Sequence, residues 1–98
     1  MEESYQYLQD FDSNFQHSPD YRSINVRGET YTLTALMAQA VQILHEFYLK
    51  GTPDVGQDYM LEELNSHSKR LRDIFQNFED FHKIIVQGKR KGTFRLNI

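Results

Sequence analysis

The residues that could do chemistry lie after position 65. Lys69, Arg70, Arg72 and Gln76 recur at helical spacing, behind the short run Ser66-His67-Ser68. Further on, Lys89, Arg90 and Lys91 stand between Gly88 and Gly92, and Arg95 follows at strand spacing. Guanidinium, ammonium and amide groups in such runs suit the binding of phosphates and of base edges. They form no catalytic motif of recognised spacing. The charge distribution points the same way. Residues 1–64 carry three bases and eleven acids, a net −8, whereas residues 65–98 carry eight bases and three acids, a net +5. An overall charge of −3 hides this division, and such asymmetry between halves suggests a polyanion surface in the basic half.

Other chemistries are poorly supplied. There is no cysteine, so thiolate metal sites, iron–sulfur clusters, cysteine nucleophiles and disulfides are excluded together; this fits a reducing, cytoplasmic setting. The histidines His17, His45, His67 and His82 show no metal-ligand spacing, and His45-Glu46 lacks the second histidine of a zincin motif. His45 is expected on the surface, opposite the apolar stripe of its helix, with His67 in a turn. No phosphate-cradling G-x-x-x-x-G-K loop or G-x-S-x-G elbow occurs. Glu62-Glu63 and Glu79-Asp80 read as solvated helix charges. The expectation is a protein that is not an enzyme, with no cofactor, no metal and no membrane span.

The chain of 98 residues, 39% hydrophobic and 13% aromatic, is long enough for one domain with one modest core. Residues 1–20 form an acidic, aromatic arm. Leu8, Phe11 and Phe15 have helical spacing there, and the arm is either a tail or a contact for a protein partner or a second copy of the chain. Residues 21–98 form the domain proper. It opens with a β-hairpin over 22–33, turning at Gly28-Glu29, so that Val26 faces Tyr31 and Ile24 faces Leu33. A helix over 35–50 follows, capped by Thr34, stopped at Gly51, with Leu36, Ala40, Ile43, Leu44 and Phe47 as its apolar stripe. A short helix over 55–64 is expected with Asp54 as N-cap and Gln57 completing a capping box. Gly56, at its start, has the freedom to let a phosphate approach. A third helix covers 68–78, capped by Ser66 or Ser68, with Leu71, Ile74, Phe75 and Phe78 inward. The second hairpin pairs Val86 with Phe94 and Ile84 with Leu96 around the basic loop.

The segment Asp54 to Phe78, followed by Ile84-Ile85-Val86-Gln87-Gly88-Lys89-Arg90-Lys91-Gly92-Thr93-Phe94-Arg95-Leu96, resembles the winged helix-turn-helix domain. The resemblance covers residues 34–98, about two thirds of the chain. It implies an α+β fold of three helices with a C-terminal β-hairpin wing, to which the hairpin at 22–33 is an addition. A strand common between the first two helices has only Thr52-Pro53 available. The resemblance also implies binding of double-stranded DNA in a transcriptional or DNA-transaction role. The third helix would sit in the major groove through Lys69, Arg70, Arg72 and Gln76, the turn at Ser66, His67 and Ser68 nearest the bases. Lys89, Arg90, Lys91 and Arg95 would meet the backbone. Asp73 fits this role only if it pairs with Lys69 or accepts from a cytosine amino group. The alternative is a protein-interaction adaptor on the same scaffold, which the overall acidity and Asp73 favour. A third reading folds the acidic arm over the basic face, in competition with DNA, or uses it to form a dimer.

Overall fold

The computed structural model describes residues 14–98. The helical spacing of Leu8 and Phe11 lies outside the described residues. The described chain is α+β, with two small antiparallel sheets and four helices.

The first sheet joins β1 (Phe15–His17), β2 (Ser23–Val26) and β3 (Glu29–Thr32) in that order. Phe15 pairs with Val26, so from Phe15 onward the expected arm is part of the folded body. The β2–β3 turn is Arg27-Gly28, with φ of 52° and 95°. Two positive φ values make a type I′ turn, whose twist matches that of the flanking strands. The pairs are therefore Val26 with Glu29 and Ile24 with Tyr31, correcting the expected turn at Gly28-Glu29. The pairing slides by two positions, and an even slide keeps every side chain on its face. Ile24, Val26 and Leu33 are buried accordingly.

Helix α1 (Ala35–Leu49) starts where Thr34 Oγ1 accepts from the Met37 N–H at 3.3 Å. It ends in a Schellman motif. Gly51, at φ 87°, donates to the Tyr48 carbonyl, and Thr52 donates to that of Phe47. Its buried face is Met37, Ala38, Ala40, Val41, Leu44 and His45. That face is rotated by about one position, roughly 100°, from the expected stripe, leaving Leu36 at 38% exposure. The first sheet causes the rotation. Phe15 and Tyr21 cover the side of α1 that carries His45, which is buried rather than on the surface. The Tyr21 hydroxyl lies 2.9 Å from His45 Nδ1, and the Phe15 ring centre lies 4.6 Å from the imidazole.

The second sheet has the order β4-β6-β5, from β4 (Val55–Gly56), β5 (Ile85–Gln87) and β6 (Thr93–Leu96). A strand therefore does lie between α1 and the next helix, at Val55–Gly56 and not at Thr52-Pro53. Val55 pairs with Phe94 and Gly56 with Thr93. Helix α2 (Gln57–Glu63) follows directly, with Gly56 at its N-cap. Asp54 does not cap it, and its carboxylate is engaged elsewhere.

The expected helix over 68–78 is reduced to one turn, α3 (Leu71–Ile74). Arg70 is extended, and beyond Ile74 the chain tightens: Phe75 donates to the Arg72 carbonyl and Phe78 to that of Phe75. Asn77 turns at φ 69°. Neither Ser66 nor Ser68 caps α3. The Ser66 hydroxyl accepts from the Ser68 N–H instead. The inward pattern persists without a regular helix, with Leu71 and Phe75 fully buried and Ile74 and Phe78 packed against the core.

Helix α4 (Phe81–Ile84) takes up Ile84, which the sequence pattern assigns to a strand. The hairpin register moves by one, to Ile85 with Leu96 and Val86 with Arg95. A run of three apolar residues fits either phase of a two-residue repeat, and α4 claims the first. Among the described residues no helix is long and apolar enough to cross a membrane.

Candidate nucleic-acid interface

Gln57 joins the two basic segments. Its backbone N–H donates to the Gly92 carbonyl at 2.8 Å, holding the exit of the β5–β6 loop. Its side-chain Oε1 accepts from the Leu71 N–H at 2.6 Å, holding the first residue of α3. The run 66–70 thus leads into one side of this residue while Lys89, Arg90 and Lys91 lead into the other. The expected capping box is absent because both of its partners serve other elements.

The basic loop is closed by a dense set of bonds. Gly88 donates to the Thr93 carbonyl at 2.9 Å, and Thr93 donates to the Arg90 carbonyl from both its N–H (3.1 Å) and its hydroxyl (2.6 Å). The Asp54 carboxylate reaches in from the start of β4. It accepts from the Lys89 N–H at 3.1 Å and from Arg95 Nε at 2.5 Å. Gly88 is required by this packing. A Cβ there would lie 2.3 Å from Thr93 Oγ1 and 2.7 Å from the Asp54 carboxyl carbon. Gly56 has nothing within 4 Å of such a Cβ, and its backbone is used by β4.

The sequence-derived candidates divide by what they touch. Ser66, His67 and Ser68 form the turn before α3, with His67 exposed. Lys69, Arg70, Arg72 and Gln76 are all exposed. Arg70 pairs with Asp73 at 3.4 Å, so the partner of Asp73 is Arg70, not Lys69. With both groups this open to water the pair contributes little. The Arg72 guanidinium lies 4.9 Å from the centre of the Phe81 ring, with Nη1 3.1 Å from His82 Nε2. Arginine only donates, so Nε2 is the acceptor. Lys89, Arg90 and Lys91 are exposed on the loop. Among the described residues, Lys69, Lys89, Arg90 and Lys91 form no ion pair. Arg95 is committed to Asp54, at 32% exposure against 17% for the acid. Lys83 is drawn away, to Asp80 and to Glu29 of the first sheet.

Compared with known proteins, the chain matches no family model, no curated protein and no solved structure. The functional reading therefore rests on this geometry.

Asp54 and the clamp role of Gln57 are absent from the sequence-derived set. The partners of Asp54 are 35 and 41 residues away and that of the Gln57 side chain is 14 away, so no local pattern marks them. The Arg95 guanidinium, and then the Lys89 N–H, hold the Asp54 carboxyl below its ordinary 3.8. The folded-state value is depressed, so this contribution is complete above about pH 3.8 and is lost as pH falls towards the folded value. On acidification below 3.8, amide resonances of Lys89 and Arg90 are expected to report loosening of the loop before the core signals change.

Proposed function

We propose that the protein is a winged-helix binder of double-stranded DNA, reading one groove with the segment 66–76 and holding the phosphate backbone with the loop 88–92. The carrying observation is the double attachment of Gln57, which sets the start of α3 and the exit of the basic loop on one residue. Two features support the winged-helix assignment. The order from Ala35 is helix, strand, helix, helix, then a hairpin, interrupted by the short α4. The sheet runs β4-β6-β5, with the strand before α2 on the outer edge.

The roles differ by position. Lys69, Arg72 and Gln76 are the candidates for base edges, with Ser66, His67 and Ser68 nearest the groove floor. Lys89, Arg90 and Lys91 meet phosphates and supply sequence-independent affinity. With α3 a single turn, the loop carries more of the binding than a full recognition helix would leave it. An adaptor role is favoured by one contrary observation: Tyr59, within acidic α2, and Leu49, at the end of α1, stand 45% and 66% exposed.

Labelled random-sequence duplex, titrated with the protein across a salt series, tests the proposal. The expected result is a linear fall of log K with log salt, at about −0.9 per phosphate contacted. Absence of any complex at the lowest salt overturns it and leaves the adaptor reading.

A further inference from the structure

An acid at the base of a DNA-binding loop needs a reason, because its charge opposes the phosphate. Asp54 has one in the geometry. One carboxylate oxygen takes the Arg95 guanidinium and the other takes the Lys89 N–H. Gly88 packs so closely on the carboxyl carbon that a Cβ would lie 2.7 Å from it. At 17% exposure the acid is largely covered by the loop it binds. We propose that Asp54 is the positioning residue of the basic loop. It orders the segment that presents Lys89, Arg90 and Lys91 to phosphates, and it withholds Arg95 from contact with DNA. For its binding arm the inference rests on the DNA-binding reading. A loop ordered before contact loses less freedom on binding, which appears as affinity.

Electrostatics and positioning predict opposite signs. Removing the acid raises the net charge by one and, by charge alone, tightens DNA binding. Loss of positioning weakens it. In Asp54→Ala the exchange of the Lys89 amide is expected to speed by about tenfold, and affinity for random-sequence duplex to fall about fivefold despite the gained charge. Asp54→Asn keeps one acceptor oxygen and should fall between, which preserves the test if the alanine variant does not fold. Arg95→Gln should speed the same amide while leaving the salt slope unchanged. Tighter binding by Asp54→Ala with the Lys89 amide unaltered overturns the proposal. So does a slope shallower by about 0.9 in Arg95→Gln, which would make Arg95 a phosphate contact. If the wild-type protein binds no duplex, the DNA reading fails separately. The Lys89 exchange rate then decides whether Asp54 orders the loop: faster exchange in Asp54→Ala upholds that role, and no change ends it.

Discussion

Replacing Lys89, Arg90 and Lys91 together by alanine is expected to weaken binding to duplex DNA of any sequence by on the order of a hundredfold at low salt. All three are exposed on a loop whose backbone is tied at Gly88, Lys89, Arg90 and Gly92. None of the closing bonds uses one of their side chains, so removing the charges leaves the loop bonded as before. The salt slope should become shallower by about 0.9 for each cation that meets a phosphate, close to three in all. Stability should stay within about 0.5 kcal/mol, the usual range for surface changes. Lys69→Ala with Arg72→Ala should behave differently. Their loss should cost about 1–3 kcal/mol per base contact on a preferred sequence and far less on random duplex. Competition titrations with the two kinds of duplex separate these outcomes. Equal losses on both would place segment 66–76 on the backbone instead of the bases.

Phe75→Ala is expected to destabilise the fold by about 3–5 kcal/mol. Phe75 is fully buried and meets Phe81 and Phe78 edge to face, with ring centres 5.2 and 5.9 Å away. It follows a helix of four residues with no side-chain cap among the described residues. The segment that bears the DNA candidates is therefore held by packing more than by its own hydrogen bonds. A domain of this size commonly has only about 5–15 kcal/mol of stability in total, so the variant should be near its unfolding threshold at room temperature. Urea denaturation measures this as a lowered midpoint with an unchanged slope. Leu49→Ala, at a side chain 66% exposed, should shift the midpoint little.

Particular residues show what the sequence made legible. Thr34 and Gly51 bracket α1 because capping is local chemistry, completed within three or four residues. The faces of the first hairpin were readable from alternation. Its register was not, because a turn at Arg27-Gly28 and one at Gly28-Glu29 place the same residues inward. Ile84-Ile85-Val86 left the second register open by one, and packing of α4 decided it. His45 lies on the side of α1 that periodicity assigns to solvent, yet Tyr21 and Phe15 bury it. Periodicity reports one helix, while burial depends on everything laid against it. The basic candidates were visible by composition. What holds them was not, because Asp54 and Gln57 act on partners distant in sequence.

Gln57 gives this molecule a fixed junction for engineering. Its main chain grips one segment and its side chain the other, so substitutions between Asn65 and Arg70 should leave the β5–β6 loop closed, provided position 57 keeps a carbonyl oxygen at the same reach. Shortening that side chain to asparagine would remove the bond to Leu71 and leave packing alone to hold α3 to the loop, with every basic residue in place.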